Sequence, residues 1–248
     1  MQIYHGTGVT STGLLKSNKS AHAIYIASTA LFSALDGTEL ITVYIERPSG
    51  SNEQIATNIP LVDFIVESTY GSEAIQADAT FGFIAKCEIT NGEGSYRLTE
   101  GENLYVKIDN IKTTDTWRVG VFEDPIKGRT LKKVERKTVA SEDFSKVIVT
   151  DEFSTAVIND VNNTVTEYVL TYSNGEQIRY TPFELQTLMR DSDPIAYVTN
   201  AGSVKMYLGR IVVPLRSESV DLFITQIEVL KPQGSVVNVL LSNADITY

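Results

Sequence analysis

Thr57-Asn58-Ile59-Pro60-Leu61-Val62-Asp63-Phe64-Ile65 has a second version 124 residues further on, Thr181-Pro182-Phe183-Glu184-Leu185-Gln186-Thr187-Leu188-Met189. In the later copy Thr181 sits where an N-cap belongs, with Pro182 in the first turn and Glu184 near the positive end of the helix dipole. Leu185, Leu188 and Met189 follow at helical spacing, which predicts one short amphipathic helix with these three side chains facing inward. Leu61, Phe64 and Ile65 hold the matching places in the earlier copy. A correspondence of this kind calls for a search for an internal repeat.

Working outward, like features keep meeting at nearly the same distance. Glu53-Gln54-Ile55 falls on Glu176-Gln177-Ile178, and Leu40 to Ile45 falls on Val165 to Leu170. Ile84-Ala85-Lys86 falls on Leu208-Gly209-Arg210, and Leu104 and Val106 reach Ile227 and Val229. Near the front, Ile24 and Tyr25 meet Ile148 and Val149. Identity between the halves is low, so the order of elements carries the inference: strand, turn, strand, short helix, then three further strands. A single irregular β protein is the other reading of the same offsets.

The strands themselves are marked by Val, Ile, Thr and aromatic content between turn signals. In the first half they are Ala23 to Ala27, Leu40 to Glu46, Phe81 to Thr90, Asn103 to Ile111 and Thr116 to Phe122. In the second half they are Lys146 to Thr150, Val165 to Tyr172, Val204 to Leu215, Val220 to Leu230 and Ser235 to Leu241. Asn91-Gly92, Asn174-Gly175 and Pro232-Gln233-Gly234 punctuate them. Leu104, Val106 and Ile108 alternate with Asn103, Lys107 and Asp109, one dry face against one wet face. The chain has 248 residues, so each half is the size of an eight-stranded jelly roll. The expected fold class is all-β: two tandem jelly-roll β-sandwiches with one short helix per domain. The boundaries read as an N-terminal jelly roll over 1–130, a basic linker over 131–145 and a C-terminal jelly roll over 146–248.

Composition excludes several classes of function. Hydrophobic residues make up 42% and charged residues 21% of the chain, which is globular and not disordered. A net charge of −10 repels a phosphate backbone, so direct nucleic-acid binding is not expected. The start lacks a basic and apolar leader, and no long apolar run occurs, so neither secretion nor membrane spanning is expected. One cysteine, Cys87, forbids an intrachain disulfide and a cysteine metal cluster. Its place in a strand-forming run predicts a buried, inert thiol.

The catalytic inventory is thin. The two histidines, His5 and His22, lie near the start, where order is poorest, and a metal site or acid/base dyad on them is not expected. There is no Gly-x-Ser-x-Gly elbow, and Gly92-Glu93-Gly94 and Gly6-Thr7-Gly8 lack the rest of a P-loop. The acidic pairs Glu123-Asp124, Glu142-Asp143 and Asp151-Glu152 read as solvated loop residues, with glycoside hydrolysis as their other possible use. Trp117 reads as a packing residue on a strand. No cofactor and no enzymatic activity are expected. A structural Ca²⁺ site drawing on Asp191 and Asp193 is the one metal reading the acids allow.

One segment breaks the charge pattern. Lys127, Arg129, Lys132, Lys133, Arg136 and Lys137 place six basic residues in eleven positions. The plain reading is a solvated linker that includes a helical turn. The sharper reading makes these six the interface candidates, contacting an acidic neighbouring subunit or anionic lipid headgroups.

Asn174-Gly175-Glu176-Gln177-Ile178, the helix from Thr181 to Met189, and Gly209 to Leu215 together resemble one jelly roll of the double-jelly-roll major capsid proteins. Members include the shells of tailless, lipid-containing icosahedral phages of the corticovirus and tectivirus kind. The resemblance spans both halves and is sharpest from Thr164 to Leu230. It implies a structural capsid protein forming pseudo-hexagonal homotrimers, located in the virion and assembled in the host cytoplasm. Implied partners are further copies of itself, other capsid or vertex proteins and an underlying viral membrane. A virion spike or a carbohydrate-binding β-sandwich module is the alternative, since jelly rolls serve both.

Overall fold

A computed structural model of the chain describes residues 1–69, 75–91, 94–125, 130–160, 162–191, 210–216 and 222–243. In the first part β1 (Gln2–Gly6), β2 (Leu15–Ser17), β3 (Ala23–Ser28), β4 (Leu40–Glu46) and β5 (Asn52–Pro60) lead into α1 (Leu61–Thr69). β6 (Phe83–Glu88), β7 (Asn103–Asp109) and β8 (Trp117–Phe122) follow. The second part repeats the series as β9 (Lys133–Val139), β10 (Ser145–Val149), β11 (Thr155–Asn159), β12 (Glu167–Tyr172), β13 (Gln177–Tyr180), α2 (Pro182–Asp191), β14 (Arg210–Pro214), β15 (Ile224–Leu230) and β16 (Val237–Asn243). Packing divides the chain into two compact units, with the passage from one to the other between Val134 and Glu135.

Each unit is a sandwich of two four-stranded antiparallel sheets, and the two units share one topology. The first has strand orders β1-β8-β3-β6 and β2-β7-β4-β5; the second has β9-β16-β11-β14 and β10-β15-β12-β13. Every strand therefore has a counterpart in the same place of the other unit. Register agrees as well. Ile45 faces Leu104 and Val43 faces Val106 across β4 and β7. Their counterparts Leu170 and Tyr168 face Ile227 and Val229 across β12 and β15. Pairing of this kind follows from period-two burial, because a slip by one residue would turn the whole apolar set outward.

The structure amends the sequence reading in several places. Ile148 and Val149 lie in β10, the counterpart of β2, and so do not correspond to Ile24 and Tyr25 of β3. β3 answers to β11, each lying third in its sheet between the counterparts β8 and β16 on one side and β6 and β14 on the other. A uniform offset fails here because the loop after β3, residues 29–39, shrinks to 160–166 after β11. The short or polar strands β1, β2, β5, β9 and β13 carried too little β-forming signal to be delimited, and β11 was missed although Ala156, Val157 and Ile158 are buried in it. His5 lies in β1, paired with Arg118, and not in a disordered start. Lys133–Val139, expected in a linker with a helical turn, is the edge strand β9 of the second unit's sheet. Residues 204–209, Gly92, Glu93 and Asp193 lie outside the described residues.

Both cores hold the residues that alternation placed there. Leu104, Val106 and Ile108 are buried on β7, and Cys87 is fully buried on β6. Trp117 is buried edge-on against Phe83, with ring centroids 5.8 Å apart. In the second unit Tyr168, Leu170, Leu185, Ile227, Val229, Val239 and Leu241 form one cluster. The helices differ. All nine residues of α1 are buried, Asp63 and Glu67 among them, as expected of a helix apolar nearly all round. α2 buries Leu185 fully and Met189 in part, but Leu188 is 43% exposed, against expectation, and Phe183 is 75% exposed. Leu185 and Met189 lie four apart on a narrow stripe, and Leu188 falls off its edge.

Candidate functional site

The basic segment does not act as one surface. Lys127 and Arg129 lie outside the described residues. Lys132 reaches Glu67 of α1, Nζ to Oε1 2.5 Å, with side chains only 11% and 2% exposed. It is thus an interior ion-pair partner in the first unit and not a surface cation. Lys133 and Arg136 are exposed on β9, and Lys137 pairs with Glu135 at 2.8 Å. Lysine stems and a β-strand backbone explain this spread: alternating side chains cannot all point one way.

Beside β9 lies the feature that sequence reasoning missed. β10 is the edge strand of its sheet, paired with β15 alone among the described residues. The bonds from Thr150 N–H to the Thr225 carbonyl (2.8 Å) and from Lys231 N–H to the Phe144 carbonyl (2.9 Å) fix which residues turn toward β15. By antiparallel alternation the amides and carbonyls of Ser145, Val147 and Val149 then point to the open edge. On the sheet's outer face Val147 and Val149 are 49% and 56% exposed, and Phe144, just before the strand, is 64% exposed. Ile148 alone of the strand turns inward. A groove of about 450 Å³ runs along this flank between Glu135 and Lys137 of β9, Lys146 to Val149 of β10, and Asp151 to Phe153.

An open, apolar edge is what soluble sheets avoid, through charge, proline, bulges or shortness. β2, the counterpart in the first unit, shows that avoidance: it has three residues, Leu15 and Ser17 are buried, and Lys16 lies over the Tyr105 ring. β10 keeps only Lys146, whose Nζ is held by the Thr138 carbonyl at 2.6 Å. Such an edge can accept another strand, main chain to main chain, while its valines give alternate apolar contacts. The strand from Lys146 to Thr150 was legible in sequence, but Val147, Ile148 and Val149 are all apolar, so no alternation marks which of them face outward.

Chemical machinery is sparse among the described residues. Burial pushes the Cys87 thiol up, with the Glu67 carboxylate adding to it, so no thiolate is available near neutrality. Burial, then Lys86, holds the His22 imidazole below its usual value. No group of three His, Cys, Asp or Glu able to hold a metal ion occurs among the described residues, and the side chain of Asp191 lies outside them. No described helix is long and apolar enough to cross a membrane.

Two sandwiches of eight strands each, in tandem and in the same strand order, define the double jelly roll. Solved structures of viral capsid proteins align with the chain over nearly its whole length. The major capsid protein P2 of bacteriophage PM2 aligns with TM-score 0.51 and 10% identity over 97% of this chain and 93% of its own. The STIV major capsid protein aligns with TM-score 0.59 and 12% identity over 99% and 95%. A chain from the atomic structure of Sulfolobus Turreted Icosahedral Virus aligns with TM-score 0.55 and 11% identity over 98% and 91%. No protein-family profile and no curated protein matches the sequence.

Proposed function

We propose that this protein is the structural subunit of an icosahedral virus shell, built as a homotrimer in which six jelly rolls approximate a hexagon. The observation that carries this reading is the end-to-end alignment of the chain with double-jelly-roll major capsid proteins, both units included. Two similar sandwiches per chain and threefold symmetry produce a pseudo-hexagonal ring, whose contacts are heterologous and close on themselves. The β10 flank supplies a self-association surface of the required kind, an apolar edge within a mixed-charge rim. The role is structural and not catalytic, in keeping with the inert Cys87. Further copies of the chain and other virion proteins are the partners, and the virion, assembled in the host cytoplasm, is the location. Lys133 and Arg136 on β9 are the basic residues placed to meet acidic neighbours or an underlying membrane.

Sedimentation and negative-stain microscopy of the purified protein test the proposal. Pseudo-hexagonal trimers are expected, each contact burying more than about 1,000 Å². A protein that stays monomeric at all concentrations and ionic strengths overturns it in favour of a spike or binding module.

A further inference from the structure

We infer that the second unit carries a binding site for a neutral saccharide, in the cavity between the first turn of α2 and the turn that follows β11. The cavity holds about 320 Å³ and is lined by Asp160, Asn163, Tyr168, Thr181, Phe183 and Gln186, among others. That size lies at the lower end of the roughly 300–1,000 Å³ of ligand pockets and suits one or two sugar rings. This inference goes beyond the shell role and does not depend on it.

Three observations converge on the cavity. Tyr168 is fully buried, yet its hydroxyl has no hydrogen-bond partner among the described residues. A buried hydroxyl without a partner is costly, and Tyr168 is one of the residues lining the cavity. Burial and then the Asp160 carboxylate push the phenol's pKa up, so it remains a donor. Second, part of the lining is preorganised: Asp160 accepts hydrogen bonds from Thr164 N–H (2.9 Å), Thr164 Oγ1 (2.8 Å) and Val165 N–H (2.8 Å). These bonds lock the turn that presents Asn163, whose φ is +51°. Third, Phe183 stands on the rim with three quarters of its surface exposed. In the first unit the corresponding Ile59 and Val43 are both buried in the core.

The lining selects the ligand class. A carboxylate, two amides and a phenol offer donors and acceptors that match sugar hydroxyls, and an exposed ring beside them can stack on a pyranose face. Anions are disfavoured by Asp160 and by Glu184. The Glu184 carboxylate already accepts from Thr181 N–H (2.8 Å) and Thr181 Oγ1 (2.9 Å) at the helix N-terminus.

The test is saturation-transfer NMR and calorimetry on the whole chain with methyl glycosides of glucose, galactose, mannose and N-acetylglucosamine and their disaccharides. At least one probe is expected to bind with a Kd of about 1–10 mM. Tyr168→Phe and Phe183→Ala should each weaken it about tenfold, the effect of one hydrogen bond or one stacked ring. Phe183→Ala should do so with no change in thermal midpoint. The inference is overturned if no probe binds at about 50 mM, if neither variant moves the affinity, or if phosphate or tetramethylammonium binds there and the saccharides do not. Trimer formation scored in the same samples separates the readings: absent saccharide binding with intact trimers strikes only this one.

Discussion

The two helices occupy equivalent places in equivalent folds, yet α1 is buried on every side and α2 only along one stripe. α1 carries Leu61, Val62, Phe64, Ile65 and Val66 in nine positions, so no face of it belongs in water. α2 interleaves Glu184, Gln186 and Thr187 with its apolar residues, so Phe183 and Leu188 remain outside. The contrast teaches that a topological repeat conserves strand order and register while leaving each copy free to put its surface to a different use. The first unit closes over its helix with an internal ion pair. The second leaves a cavity beside its helix and an open edge at β10.

The sharpest way to break this comparison is to truncate matched positions. Phe64→Ala should cost about 3–5 kcal/mol, whereas its counterpart Leu188→Ala should stay within about 0.5 kcal/mol. Similar losses in chemical denaturation would show that the two helices are packed alike. Leu185→Ala, on the buried stripe, should cost about 2–5 kcal/mol.

The ion pair offers a second contrast. Lys132→Ala removes the cation from the buried Glu67 carboxylate and should cost about 3–5 kcal/mol. Adding Glu67→Gln should recover part of that loss. Lys133→Ala with Arg136→Ala, on the exposed part of the same basic run, should leave unfolding nearly unchanged and weaken the salt dependence of assembly. A double variant as unstable as Lys132→Ala would overturn the division.

At the edge strand, Val147→Lys with Val149→Lys places two charges where apolar contact is expected. It should weaken trimer formation about a hundredfold, the loss of roughly two buried valines, with little change in monomer stability. Lys16→Glu on β2 should leave trimers intact. If both variants assemble like the parent, β10 is not the contact.

The smallest effect concerns pH. Burial and Lys86 hold His22 below its usual value in the folded chain. The unfolded state therefore takes up a proton first as pH falls through about 6.5, so stability is full above that pH and declines below it. His22→Gln should flatten the stability profile between about pH 7 and 5, by less than about 1 kcal/mol because the ring is partly solvated.

Much of the fold was legible in sequence where physics is local. Alternation on β7 marked one core face, and Thr181 with Glu184 marked the start of α2 through the reciprocal cap that the structure contains. Edge strands were harder. β1 is short, and β9 is so rich in Lys and Arg that its charge masked its place at the edge beside β16. The interior place of Lys132 depends on α1, distant in sequence, so no local pattern could reveal it. The exposed valines of β10 failed to stand out for the opposite reason: an apolar residue reads as core wherever a strand is expected, and only the sheet order shows which face lacks a cover. The cavity beneath α2 is a vacancy left by side chains that do not reach, and vacancies have no sequence signature.

In each unit the first strand is neighbour to the last: β1 pairs with β8, with the Met1 amino group reaching the Val121 carbonyl at 2.5 Å, and β9 lies beside β16. In kinetic terms neither sandwich can close until its final strand has left the ribosome, after Phe122 for one and Asn243 for the other. Pairings this remote in sequence place folding on the millisecond-to-second scale. Through that interval the chain must wait half-built, with β1 held open for β8 and β9 for β16.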